Sequence, residues 1–238
     1  MVHTPKITVD DRLRHIAFIM DGNGRWATKR GLIREMGHKK GAETFRSVTS
    51  YCHDIGIKAV TVYVLSTENL IKRPEKELSA LMDLLRRYLR EAIDDCDKNG
   101  ICFRFPGDRS ALPEDIISLM NETERITLKY KDDYVLNLCI NYGGQKDIIQ
   151  AVNRLIAKGE KEITEEKLAH ELTTSFTSYP ELIVRTGGDI RLSNFLLWEC
   201  AYSELYFTDT LWPDMNEDEV DKAIESFYSR QRRYGAVK

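Results

Sequence analysis

The 238-residue chain is 42% hydrophobic and 31% charged, the length of one large domain or two small ones with enough apolar residues for a sizeable core. Its formal net charge of −3 excludes the broad basic footprint of a nucleic-acid binder, so any anion site must be a local gathering of cations. The five cysteines are odd in number, widely spaced and without a CxxC pair, and they read as reduced packing residues of a cytoplasmic protein. The opening "MVHTPKITVDDRLR" lacks the apolar h-region of a signal peptide. No run approaches the ~18 apolar residues of a membrane helix.

In chain order, "IAFIM" (16–20) predicts a strand buried on both faces, followed by the turn Asp21-Gly22-Asn23-Gly24 and helical composition from Arg25. Gly41 to Ile55 places Ala42, Phe45, Val48, Cys52 and Ile55 on one helical stripe. "AVTVYVL" (59–65) predicts the next strand. Pro74 to Cys96 predicts a second helix, with Leu78, Leu81, Met82, Leu85, Leu89 and Ala92 on its stripe, Pro74 in its first turn, and Glu75 and Glu77 near that turn. "CFRF" (102–105), "VLNLCI" (135–140), "LIV" (182–184) and "ELYF" (204–207) complete the strands. Strands alternating with helices, and no repeat or linker, predict a single α/β domain over 1–238 with an open, mostly parallel sheet of about six strands.

Four of these strands end in polar or glycine-rich loops: Asp21-Gly22-Asn23-Gly24-Arg25, Ser66-Thr67-Glu68-Asn69, Asn141-Tyr142-Gly143-Gly144 and Arg185-Thr186-Gly187-Gly188. Open α/β sheets bind ligands at that end, here a phosphate or a metal. Gly22-x-Gly24-x-x-Ala27 fits a dinucleotide fingerprint, which makes an oxidoreductase one alternative. That fingerprint wants an acidic residue about 20 residues on at the end of the next strand, whereas the next strand ends near Leu65, about twice as far. Asp21 would also repel an unscreened pyrophosphate. A Mg²⁺ on Asp21 removes the objection, since such an ion needs only one or two protein carboxylates, and Glu204 is a candidate second ligand. Arg25, Arg34, His38, Arg73, Arg185 and Arg191 supply more cations than one phosphate needs and suit two pyrophosphates.

"HIAFIMDGNGRWA", "RxxGHxxG" (34–41), "LSTEN" (65–69), "NYGG" (141–144), "VRTGGDIRLSNFLLW" (184–198) and "AYSELYFTDTLWPD" (201–214) follow in that order. Together they closely resemble the cis-prenyltransferases, the undecaprenyl diphosphate synthase family, from His15 to Gly235. The resemblance implies repeated condensation of isopentenyl diphosphate onto an allylic diphosphate primer, farnesyl or geranylgeranyl, with each new double bond cis. It implies that Asp21 carries Mg²⁺, with help from Glu204, and assists loss of the allylic pyrophosphate. Gly22, Asn23, Gly24, Arg25, Arg34 and His38 would hold that pyrophosphate. Arg185, Arg191 and Ser193 would hold the isopentenyl pyrophosphate, with Ser66 and Asn69 beside the reacting carbons. Trp26, Thr67, Glu68, Leu70, Arg73 and Leu192 are further substrate contacts by the same resemblance. It also implies an apolar channel between the sheet and the helices at 41–55 and 74–96, a homodimer, transient contact with a membrane surface for product release, and a tail "RQRRYG" (230–235) reaching toward a neighbouring site.

The chain departs from the family pattern in three places. Leu70 replaces the usual aromatic residue after the Asn of the S-x-E-N motif. "LIKRP" is one residue longer than usual; Arg73 is the matching cation if Pro74 sets the register and Lys72 if Asn69 does, and Pro74 with its helix favours Arg73. Asp189 stands where a Glu is usual. A second alternative is a non-catalytic partner subunit, but such subunits lose the first-motif Asp, and this chain keeps Asp21, Asn69, Arg185 and Arg191. The all-helical trans-prenyl synthases need paired DDxxD motifs, which the chain lacks. Tyr134 is expected near the closed end of the channel, with its hydroxyl turned in or out, and Val64 on the same wall.

Overall fold

A computed structural model describes residues 7–230, without the side chains of 95–97 and 99. The first strand, β1 (His15–Ile19), is buried at every position, as its unbroken apolar run requires. It is followed by α1 (Asn23–Lys29), α2 (Arg34–Asp54), β2 (Ala59–Ser66), α3 (Thr67–Lys72), α4 (Glu75–Asn99), β3 (Ile101–Arg104), α5 (Glu114–Thr127) and β4 (Tyr134–Tyr142). Then come α6 (Gly144–Ala157), α7 (Glu165–Glu171), β5 (Leu182–Arg185), β6 (Glu204–Phe207) and α8 (Glu217–Ser229). The strands form one sheet in the order β3-β4-β2-β1-β5-β6. Every pairing is parallel, so the carboxyl ends of all six strands share one edge.

The sequence places the strands within two residues of where they lie, but it starts the first long helix too late. That helix begins at Arg34 and runs through two glycines that the apolar stripe does not include. Their role is close approach. A Cβ on Gly37 would stand 2.0 Å from the Asn23 carbonyl oxygen, and one on Gly41 would stand 2.1 Å from Asn23 Oδ1. The helix is therefore bare where the start of α1 lies against it.

The main core fills the space between the sheet and α2, α4, α5 and α8, built from residues such as Phe18, Val62, Leu136, Leu85, Ile116 and Phe227. A smaller cluster with Ala17, Ile183, Tyr142 and Phe195 covers the other face. Register irregularities between β2 and β4 around Tyr63, Leu65 and Ser66 re-aim the end of β2 where the polar loop begins. Cys52, Cys102 and Cys139 are buried free thiols, as packing residues should be.

Candidate active site

The end of β1 and the end of β5 are neighbours, with Ile19 level with Arg185. The side chain of Arg185, only 3% exposed, reaches across so that its Nη2 donates to Asp21 Oδ2 at 2.9 Å. Arg25 Nη2 lies 3.1 Å from the other oxygen, Oδ1, and Arg25 Nη1 donates to the Gly187 carbonyl at 2.6 Å. Burial pushes the Asp21 carboxyl up, but hydrogen bonds and charge from Arg185 and Arg25 outweigh it and hold its pKa below the usual carboxylate value. Asp21 is therefore an anion at neutral pH. Arg185 Nη1 also donates to the Arg191 carbonyl at 2.6 Å and to Ser193 Oγ at 2.7 Å. Arg191 Nη2 donates to Asp189 Oδ2 at 2.6 Å.

Asp21 opens onto a polar cleft of about 620 Å³, lined by Asn23, His38, Ser66, Glu68, Asn69, Arg73, Arg185, Arg191 and Ser193 among others. Ser66 caps α3: its Oγ accepts from the Asn69 backbone N–H at 3.1 Å. An apolar channel continues from the cleft, and Met20, Asn23, His38, Val64 and Leu81 line both. Its upper chamber, about 120 Å³, is walled by α2, α4, β2 and β4 through residues such as Phe45, Met82, Leu85, Tyr88, Leu138 and Ile140. A lower chamber of about 290 Å³ shares Phe45, Tyr88 and Leu138 with the upper one and adds the polar Arg46, Thr49, Ser50, His53 and Glu91. The Tyr88 hydroxyl donates to the Ala42 carbonyl, and the Phe45 and Tyr88 rings meet edge-on at 6.1 Å. That pair pinches the channel.

Other expected site residues lie around this cleft without lining it. The Arg34 guanidinium sits over Gly24, 2.9 Å from where a Cβ would stand, and Gly22 carries the positive φ of 110° that starts α1. Thr67 Oγ1 is buried without a hydrogen-bond partner. Three further expected contacts have partners within the chain. Trp26 turns its Nε1 to Asp214 at 2.6 Å, with Arg30 4.2 Å above the ring. Leu70 packs on the main core, and Leu192 packs on the cluster behind the sheet.

Glu204 stands apart from Asp21 within one chain. It starts β6 level with Leu182, which is level with Ile16 at the beginning of β1. Asp21 lies five residues farther along the strand direction, roughly 16 Å at the rise of a β-strand. Glu204 instead accepts from Arg230 Nη1 at 2.7 Å. One ion cannot be held by both carboxylates of the same chain. Among the described residues no group of three or more His, Cys, Asp or Glu is arranged to hold a metal. Of the two expected ligands Asp21 is the one in the cleft, and one ionised carboxylate is a fitting protein share for a hydrated Mg²⁺.

Two polar cleft residues were not among the expected ones, Asn194 inside the 184–198 motif and Tyr63 inside the strand at 59–65. Asn194 spans the cleft edge, with its Nδ2 donating to Glu68 Oε1 at 2.9 Å and its Oδ1 accepting from the Gln145 N–H at 2.9 Å. Tyr63 donates to the Tyr142 carbonyl at 3.1 Å and lines the cleft floor. Tyr134 turns inward, donating to the Thr49 carbonyl at 2.8 Å with the His53 ring at 4.8 Å. It packs against α2 but does not line the channel. The tail at 231–235 lies outside the described residues.

A prenyltransferase family model described as "Putative undecaprenyl diphosphate synthase" matches residues 19–235. The chain belongs to this family. It is 48% identical over 225 residues to an isoprenyl transferase of Fusobacterium nucleatum, covering 94% of this chain and 96% of that one. An isoprenyl transferase of Aquifex pyrophilus is 47% identical over 223 residues, with the same coverage. Among solved structures, lavandulyl diphosphate synthase from Lavandula x intermedia, in complex with dimethylallyl diphosphate, superposes with a TM-score of 0.90 at 31% identity, covering 95% of this chain and 100% of that one. A structure described as "a probable undecaprenyl diphosphate synthase" from Campylobacter jejuni gives 0.79 at 34% identity, covering 94% and 99%. The chain is a prenyltransferase of the cis-prenyltransferase fold, which sets aside the dinucleotide alternative.

Proposed function

We propose that this prenyltransferase condenses isopentenyl diphosphate repeatedly onto an allylic primer, farnesyl or geranylgeranyl diphosphate, and releases a long-chain polyprenyl diphosphate, the precursor of a glycan carrier lipid. One observation carries this reading: a cation-lined polar cleft, centred on the ionised Asp21, opens directly into an apolar channel. A substrate with a diphosphate head and a hydrocarbon tail is what such a shape receives.

In each cycle the allylic C1–O bond breaks and pyrophosphate leaves with the bonding electrons. The terminal carbon of isopentenyl diphosphate bonds to C1, and a proton is lost from its C2. Arg34, His38, Arg73 and the backbone N–H groups at the start of α1 hold the departing pyrophosphate, where negative charge grows. Arg185, Arg191 and Ser193 orient the isopentenyl diphosphate, and Asn69 with the Ser66 hydroxyl stands beside the carbon that loses its proton. Asp21 would hold the Mg²⁺, which would supply charge neutralisation for the leaving pyrophosphate. The retained Asp21, Asn69, Arg185 and Arg191 in one cleft favour a catalytic chain over a non-catalytic partner.

The tail of the product argues for peripheral contact with a membrane at release, and we infer a cytoplasmic homodimer as its working form. Among the described residues no helix is long and apolar enough to cross a membrane. The stoichiometry of the reaction tests the proposal: one pyrophosphate released per isopentenyl diphosphate consumed supports it. Pyrophosphate release independent of isopentenyl diphosphate would mark a hydrolase.

A further inference from the structure

Beside the cleft, one carboxylate gathers two arginines and a histidine. Glu77, in the first turn of α4, is only 8% exposed. Its Oε1 accepts from His38 Nε2 at 3.0 Å and lies 3.3 Å from Arg73 Nη1, and its Oε2 lies 3.5 Å from Arg34 Nε. The three partners come from separate places: Arg34 and His38 lie one turn apart on α2, and Arg73 closes the junction between α3 and α4. His38 and Arg73 line the cleft, whereas Glu77 lines a small cavity behind it with Glu35, Lys39 and Arg87. Glu77 is thus set back from the cleft.

Favouring the positive end of α4 does not explain this burial, since the exposed Glu75 already serves that end. Burial pushes the Glu77 carboxyl up, and the His38 hydrogen bond with the charges of Arg73 and Arg34 more than reverses it, so Glu77 is ionised. One negative charge against two guanidiniums and an imidazole leaves the cluster net positive on its cleft side. It also commits His38 Nε2, fixing the ring's orientation.

We infer that Glu77 is a positioning residue for the allylic diphosphate: it presets His38, Arg34 and Arg73 for the pyrophosphate and ties α4, a wall of the apolar channel, to that same subsite. The inference rests on the reading of the cleft as a diphosphate site. Removing the Glu77 charge leaves two guanidiniums crowded together without their shared anchor and the His38 imidazole, whose pKa burial holds below its usual value, without its hydrogen-bond acceptor, and the three side chains disperse. The isopentenyl subsite, built by Arg185, Arg191 and Ser193 on the other side of Asp21, shares no contact with Glu77 and is left intact.

Calorimetric titration of farnesyl diphosphate in the absence of isopentenyl diphosphate, with steady-state KM values for both substrates, tests the inference. Glu77→Gln should weaken farnesyl diphosphate binding about tenfold, the scale of one lost charge-assisted hydrogen bond. The KM for isopentenyl diphosphate should stay within about twofold, and Glu77→Asp should recover part of the loss. A merely structural role would move both substrates or neither. If the wild-type chain does not bind farnesyl diphosphate, the site reading and the inference fall together. If the wild type binds it and Glu77→Gln binds it equally well, or loses both substrates alike, only the inference falls. Should Glu77→Gln fail to fold, Glu77→Asp decides: wild-type affinity for farnesyl diphosphate with a folded, shortened side chain overturns the positioning role.

Discussion

Arg185 and Asp21 meet at 2.9 Å across the ends of two adjacent parallel strands. Each explains the other's state. The guanidinium keeps Asp21 ionised, and the carboxylate anchors a nearly buried arginine whose other amine holds the loop from Arg191 to Ser193 in place. The two diphosphate subsites of the proposed reaction therefore share a wall at Asp21.

Asp21→Ala should fold, since Asp21 sits at a loop on the open edge of the sheet. Its kcat should fall by about 10²–10³-fold or more, the scale for loss of one preorganised electrostatic contact to a developing charge. Steady-state turnover alongside a circular dichroism melt checks both halves. Wild-type turnover in the folded variant would remove Asp21 from the chemistry.

Arg191→Ala and Arg185→Ala should separate. Arg191 is an exposed arm held by Asp189, so its loss should raise the KM for isopentenyl diphosphate about tenfold and spare kcat. Arg185 also holds Asp21, so its loss should lower kcat as well. Equal effects of the two substitutions on kcat would contradict this division.

Product length should respond to the pinch between the two channel chambers. Tyr88→Ala or Phe45→Ala joins the upper chamber to the 290 Å³ below it and should shift the product ladder to longer chains. Val64→Phe, at the top of the channel, should shorten it by overpacking. Ladders are compared at a fixed ratio of isopentenyl diphosphate to primer. Three ladders identical to the wild type would place the ruler elsewhere.

His15 should make stability fall with acid. Its Nδ1–H donates to the Ser178 carbonyl at 2.6 Å. Its Nε2 accepts from the Thr61 hydroxyl at 2.7 Å, and that oxygen in turn accepts from Asn137 Nδ2 at 2.9 Å. The neutral ring is thus fully satisfied, and burial pushes its pKa from 6.5 down to about 4. A histidine harder to protonate folded than unfolded contributes stability that is present above pH 6.5 and lost as pH falls toward 4, about 3 kcal/mol in all. Asp147 and Glu199, both pushed up mainly by burial, pull the other way. The difference between the wild type and His15→Gln in urea melts at pH 7 and pH 5 isolates the histidine. No change in that difference would refute the assignment.

The polar loops were legible because four of the strands run apolar residues directly into Asp21, Ser66, Asn141 or Arg185. The channel walls were legible as stripes on α2 and α4, but stripes do not distinguish a lined channel from a filled core; only the packing does. Three features had no local signal. Gly37 and Gly41 look like helix breakers until Asn23 is seen against them. Glu204 lies in a motif of the resemblance, yet its distance from Asp21 within the chain depends on the β5–β6 register, which puts it at the start of its strand. Glu77 reads as an ordinary first-turn acid, since its partners are 4, 39 and 43 residues away.

The most direct measurement is the incubation of the purified chain with labelled isopentenyl diphosphate, farnesyl diphosphate and Mg²⁺, followed by extraction into butanol and chain-length separation. The account predicts a ladder of products longer than the primer by whole isoprene units, abolished by EDTA. Label that stays entirely in the aqueous phase, with primer and Mg²⁺ both present, would contradict it.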